Sequence, residues 1–255
     1  MTNPPQPRGL DAGSGRTPDP AGRGRGPLFG VLQFPGSCDD RDALLACRRV
    51  GDARLVWHEE SDLDGIDVVV VPGGFSYGDY LRAGAIARFA PAMEAVARHA
   101  DAGGPVLGIC NGFQVLCESG LLPGAVLPNE SLRFVSRQVE VEVESSGTPF
   151  TSACAVGERL SIPVKHESGR YFAPPEQLDA LEARSGVVLR YAPDQNPNGS
   201  ARDIAGVTNE GGNVMGLMPH PEHAVDPLTG SEDGLRLLAS AAAHLAPRVG
   251  QALSA

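Results

Sequence analysis

Residues 66–71 read Ile-Asp-Val-Val-Val-Val, a nearly unbroken β-branched run halted by Pro72-Gly73-Gly74. β-branched side chains restrict their own rotamers and favour strands. A run without apolar–polar alternation leaves no face for water, so a strand made from it needs cover on both sides. The same character recurs at residues 28–34, which end at Pro35-Gly36, and at 106–109, with a shorter strand at 53–57. Between these runs lie helical stretches. Asp39 and Asp40 are placed to cap a helix carrying Ala43, Leu44, Cys47 and Val50. Residues 85–100 read as helical, with Pro91 starting a new helix or kinking the first. Residues 111–119 form another. Buried strands alternating with helices predict an α/β fold with a largely parallel central sheet flanked by helices.

The second half is richer in strands. Residues 135–144 alternate with period two, Val135, Val139, Val141 and Val143 against Arg137, Gln138, Glu140 and Glu142, which predicts a half-exposed strand. Further strands are expected at 160–164, 187–191, 204–208 and 214–218. A closing helix is expected at 234–245, with Leu235, Leu238, Ala242 and Leu245 on one face. Residues 1–27 differ from all of this. They hold six Gly, six Pro and four Arg with few large apolar side chains, too little apolar surface to offset ordering entropy. They are expected to be a disordered extension, and residues 28–255 one continuous domain.

Charge excludes some functions. Acidic side chains outnumber basic ones 31 to 21, and a surface that negative repels a phosphate backbone, so a nucleic-acid partner is not expected. No apolar run reaches the roughly 18 residues a membrane helix needs. The five cysteines (Cys38, Cys47, Cys110, Cys117, Cys154) are odd in number and include no C-x-x-C pair. With no secretory leader in view, the expectation is a cytoplasmic protein of free thiols, without a disulfide framework or a metal site.

One thiol stands apart. Around Cys110 the chain reads strand, Gly-x-Cys-x-Gly, helix. A nucleophile on such a sharp turn tolerates only small neighbours, which Gly108 and Gly112 supply. The turn lifts the sulfur above the carboxyl end of the sheet, where open α/β folds hold ligands, and onto a helix N-terminus that favours thiolate. A buried structural cysteine beside a tight turn fits the same five residues. A base and its orienter are available in Met218-Pro219-His220-Pro221-Glu222-His223. If prolines hold that segment extended, His220 and Glu222 project to one side, and a carboxylate beside an imidazole sets its tautomer and basicity. Pro72-Gly73-Gly74-Phe75 offers exposed backbone N–H groups of the kind an oxyanion hole requires; it is also an ordinary strand-ending turn.

Together, Gly-Ile-Cys-Asn-Gly-Phe-Gln, Pro-Gly-Gly-Phe and His-Pro-Glu resemble the class I (triad) glutamine amidotransferases, which have a flavodoxin-like α/β fold. Residues 75–85, Leu132-Arg133-Phe134, Asn196-Pro197-Asn198-Gly199-Ser200 and Gly206-Val207-Thr208-Asn209-Glu210 look like the glutaminase subunits of phosphoribosylformylglycinamidine synthases, in their separate small-subunit form. The resemblance runs from about residue 28 to the last helix. It implies that Cys110 attacks the glutamine amide, that His220 is base and then acid, and that Glu222 orients it. Gly73, Gly74, Phe75, Asn111, Gln114, Arg133 and Phe134 fall in motifs that hold glutamine or its oxyanion. It further implies that ammonia passes to a large synthetase subunit, which carries the ATP and Mg²⁺ and converts formylglycinamide ribonucleotide to formylglycinamidine ribonucleotide. A third small subunit accompanies many such complexes. This chain itself shows no nucleotide-binding signature, so no cofactor is expected in it. Two features depart from the pattern: His223 stands where Arg often follows the Glu, and a His-Gly-Glu-Gly segment appears here as His166-Glu167-Ser168-Gly169. A peptidase-like cysteine hydrolase and a non-catalytic scaffold are the alternatives. The first would need no partner, and the second would not need all three triad positions filled.

Overall fold

The computed structural model describes residues 26–252 of the 255-residue chain, with side chains through residue 245. The extension expected at 1–27 lies outside the described residues but for its last two. The first half runs β1 (Leu28–Gln33), α1 (Asp40–Cys47), β2 (Asp52–Trp57), β3 (Val68–Val71), α2 (Pro91–Asp101), β4 (Val106–Ile109) and α3 (Asn111–Glu118). The second runs β5 (Ala125–Pro128), β6 (Val135–Val143), β7 (Arg159–His166), β8 (Ser168–Phe172), α4 (Pro175–Ala183), β9 (Val187–Tyr191), β10 (Ile204–Thr208), β11 (Val214–Leu217) and α5 (Gly234–Ala252). No helix of the described residues is long and apolar enough to cross a membrane.

Nine strands form one sheet in the order β2-β1-β3-β4-β11-β10-β9-β6-β7. The pairings from β2 to β11 are parallel and those from β11 to β7 antiparallel. The parallel half matches the apolar runs: every residue of β3, β4 and β11 is buried. In β6, Val139, Val141 and Val143 turn inward while the polar residues between them face out. Pro91 begins α2 after a single helical turn at Ala87–Phe89, so it starts a new helix. On α5 the buried face is carried by Leu237, Leu238, Ala241 and Leu245, a rotation from the expected stripe that leaves Leu235 and Ala242 half-buried. The short β5–β8 pair and α4 were not expected. Neither strand of the pair has a periodic pattern, and the signal for α4 was Pro175 at a helix start followed by Glu176.

A flat sheet would put β7 four strand spacings from β11, roughly 19 Å away. Yet the His220 N–H, just beyond β11, donates to Pro163 O of β7 at 2.8 Å. The antiparallel half must therefore curl back over the carboxyl ends of the parallel strands, in the direction that sheet twist allows. That curl builds the site.

Candidate active site

In the register of the sheet, Gly108 of β4 lies beside Val71 of β3 and Gly216 of β11. The segments leaving these neighbouring strand ends are Pro72–Phe75, Cys110–Asn111 and Met218–Glu222, so three distant stretches of sequence meet at one edge. Cys110 caps α3 with φ 50° and ψ −104°, a left-handed conformation that a side chain rarely adopts and that persists only where its surroundings impose it. The imposition is visible. A Cβ on Gly112 would sit 1.9 Å from Val71 O, and one on Gly108 would sit 2.8 Å from Gly112 O. The Cys110 N–H donates to Leu217 O at 2.8 Å, and its Sγ lies 3.9 Å from Lys165 O.

His220 and Glu222 are almost wholly buried, with Nδ1 and Oε1 2.6 Å apart. The route to that contact differs from the expected one. The chain does not stay extended but makes a helical turn at Pro221–His223, and the turn folds the carboxylate back onto the ring. His220 Nε2 is buried without a hydrogen-bond partner. Burial opposes a charged ring, but the Glu222 carboxylate and the Cys110 sulfur outweigh it and raise the His220 pKa to about 10. The other thiols are unsuited to attack: burial pushes Cys47 up to about 12 and raises Cys117, Cys154 and Cys38 as well.

Gly73 O accepts from both Cys38 N–H (3.4 Å) and Asp39 N–H (3.2 Å). Its peptide is thereby pinned with the Gly74 N–H directed the other way. Among the described residues neither the Gly74 N–H nor the Asn111 N–H has a protein acceptor, as donors reserved for a developing oxyanion should be. The Asn111 side chain accepts from Ser76 N–H (3.0 Å) and donates to Asp79 Oδ1 (3.0 Å) and Gln114 Oε1 (2.9 Å). Those bonds hold a loop in which Tyr77, Asp79 and Leu81 all have positive φ. Gln114 also donates to Ser168 O at 2.6 Å, so both ends of its amide are engaged. Phe75, Arg133 and Phe134 are exposed on the rim.

Sequence reasoning missed Asn129. It accepts from Gly169 N–H and donates to Arg133 O and His166 O, all within 3.0 Å, and so ties the Leu132-Arg133-Phe134 loop to the departing His166–Gly169 segment. Gly169 is the glycine that segment cannot lose, because a Cβ there would lie 2.2 Å from the His166 ring. Asp39 was missed too. Its side chain makes no capping bond to α1; it pairs instead with Lys165 and with His223 Nε2 at 3.3 Å. Asp39, His220, Glu222 and His223 place ligand atoms within 4.8 Å of one another. A cavity of about 710 Å³ lined by Gly120–Gly124, Arg184 and Asn209–Gly211 lies at the opposite end of the sheet.

His166 is buried, with Nε2 3.0 Å from Asn198 Nδ2. Burial, with the neighbouring His220, holds its pKa down at about 3. The ring thus stays neutral when folded, whereas the unfolded chain takes up a proton below the ordinary value of 6.5. Stability from this group is complete above that value and falls as pH drops from 6.5 toward 3. At pH 5 the loss should be about 2 kcal/mol. Urea midpoints measured across this window should slope more steeply for wild type than for His166→Gln. Equal slopes would reject the assignment.

The sequence profile of the CobB/CobQ-like glutamine amidotransferase domain matches residues 27–234. Among curated proteins, the phosphoribosylformylglycinamidine synthase subunit PurQ of Rubrobacter xylanophilus is 61% identical over 212 residues, covering 83% of this chain and 96% of its own length. The PurQ subunit of Mycobacterium tuberculosis is 58% identical over 215 residues, covering 84% and 95%. A chain in the structure of PurLQS from Thermotoga maritima superposes with a TM-score of 0.80 at 44% identity, covering 86% of this chain and 99% of that one. Fold, profile and identity agree: the chain belongs to the glutamine amidotransferase family, in the group of phosphoribosylformylglycinamidine synthase PurQ subunits.

Proposed function

We propose that this protein is the glutaminase subunit of a phosphoribosylformylglycinamidine synthase, acting in purine biosynthesis, with residues 28–255 as its amidotransferase domain. The observation that carries the reading is the strained Cys110 turn facing a buried His220–Glu222 pair. His220, its Nδ1 held by Glu222 and its charged form favoured there, already carries on Nε2 the proton taken from the thiol. The Cys110 sulfur attacks the glutamine side-chain amide. The Gly74 and Asn111 N–H groups receive the negative charge on the carbonyl oxygen. His220 returns the proton to the departing nitrogen, leaving a glutamyl thioester and ammonia. Water activated by the same imidazole then releases glutamate. Gly73, Phe75, Gln114, Arg133 and Phe134 line the approach, the exposed Arg133 suiting the glutamine α-carboxylate.

The ammonia passes to a large synthetase subunit that binds ATP and Mg²⁺ and aminates formylglycinamide ribonucleotide, and a third small subunit completes the assembly. The synthetase complex named for the structural neighbour from Thermotoga maritima supports this arrangement. Glutamine turnover, measured for the chain alone and with the synthetase, its nucleotide substrate and Mg²⁺-ATP, tests it. The expected result is slow hydrolysis alone and marked stimulation in the loaded complex. Failure to consume glutamine in either case would overturn the reading.

A further inference from the structure

Asp39 has only 3% of its surface exposed, and a buried carboxylate costs free energy unless it is paired. Its partners come from two distant parts of the chain. Oδ1 pairs with Lys165 Nζ of β7 and accepts from His223 Nε2 at 3.3 Å. Oδ2 lies 3.7 Å from His220 Nδ1, the nitrogen that Glu222 already holds. Gly73 fills the space between: a Cβ there would lie 2.4 Å from Asp39 Oδ2 and 2.8 Å from His220 Cε1. Only a hydrogen fits, so carboxylate, glycine and imidazole pack as a unit.

The backbone of the same residue acts on a second catalytic feature. The Asp39 N–H donates to Gly73 O, and that carbonyl shares a peptide with the Gly74 N–H. The charged groups facing the carboxylate are Lys165, His220 and His223, with Glu222 on the same nitrogen of the His220 ring and 3.6 Å from His223 Nε2, and Asp42 4.0 Å from His223. Burial raises the Asp39 pKa, but the His223 hydrogen bond and the charges of His220 and Lys165 outweigh it and hold the group below the usual carboxylate range. Asp39 therefore remains an anion at working pH. It presents a second negative charge to His220, and resists rotation of the ring away from Glu222.

We propose, resting on the glutaminase reading, that Asp39 is a positioning residue. Its carboxylate, clamped by Lys165 and His223, holds His220, and its N–H holds the Gly73–Gly74 peptide, so that base and oxyanion donor keep one geometry about Cys110. His223 serves as an outer clamp.

The test uses the full chain assembled with its synthetase. Asp39→Asn keeps shape and N–H but removes the charge. The glutaminase kcat should fall on the order of ten- to a hundred-fold, as for a small misplacement of a catalytic group, with KM nearly unchanged. Losing a nearby negative charge destabilises the imidazolium, so the limb of the pH–rate profile that reports His220 should move down by about one unit. Ammonia-dependent synthesis should persist, which shows that the synthetase is active, and the variant should co-elute with it, which shows that the complex is intact. Should Asp39→Asn not fold, the half-exposed His223→Gln removes one clamp and should lower kcat at nearly constant KM, an unchanged kcat counting against the proposal. Wild-type kcat with an unmoved limb would overturn the proposal. So would a lowered Tm whose folded fraction keeps both. Absence of glutamine hydrolysis by the wild-type complex would instead overturn the glutaminase reading itself.

Discussion

Replacement of Cys110 by alanine or serine is expected to abolish glutamine-dependent synthesis by the assembled enzyme while ammonia-dependent synthesis continues. Loss of the nucleophile from a triad costs on the order of 10⁵ or more in kcat, and a serine hydroxyl is too weak an acid to replace the thiol at this site. Free ammonia enters beyond Cys110, so it bypasses the lesion. The pattern separates loss of ammonia generation from loss of the synthetase chemistry, and co-elution of the variant with the synthetase excludes an assembly defect. Cys117→Ser supplies the contrast. That thiol is packed on α3 with Sγ 3.9 Å from Pro123 O, and its replacement should leave glutaminase activity nearly unchanged. Normal glutamine use by Cys110→Ala would exclude Cys110 as the nucleophile.

Gly112→Ala should be the most damaging single-methyl addition near the site. The new Cβ would meet Val71 O at 1.9 Å and its carbonyl carbon at 2.6 Å. Both are backbone atoms of a central strand, so no side chain can swing aside. Relief requires α3 to move outward from β3, and α3 carries the Cys110 turn at its first residue. We expect a stability loss of roughly 3 kcal/mol or more, and at least a hundred-fold loss of glutaminase activity in whatever folds, because the sulfur is displaced by most of an ångström. Gly147→Ala is the control: its Cβ would approach only Ser145 Oγ, at 3.6 Å, and Tm should barely change. Thermal melts of the two variants decide the matter, and a wild-type Tm and activity for Gly112→Ala would show that the close approach to Val71 is not needed.

What could be read from the sequence was local. The β-branched runs announced strands covered on both faces, because a strand's side-chain period is visible within five residues. Gly108 and Gly112 flanking Cys110 announced a tight strand-to-helix turn for the same reason: the constraint acts between neighbours in the chain. His220 and Glu222 were legible as a pair because they are two apart, although the turn at Pro221–His223, rather than an extended strand, closes the contact. The short β5–β8 pair was not legible. Its stability comes from pairing and from packing such as Tyr171 against Phe113, not from a pattern of its own.

Asp39 and Lys165 mark the limit. They are 126 residues apart, and each alone reads as a surface charge or a helix cap. Only the curl of the antiparallel half, which carries Pro163 and Lys165 of β7 back over the ends of β4 and β11, brings them together and buries Asp39. The sequence by itself determined the strands, the tight turn at Cys110 and the closeness of His220 to Glu222, because those depend on periodicity and steric limits between near neighbours. The tertiary structure alone decided which carboxylates surround His220, which N–H groups remain unpaired beside Cys110, and which loop Asn129 anchors. Those depend on strand order and sheet curvature, and burial then gives such charges and donors an energetic weight that they lack in an unfolded, solvated chain.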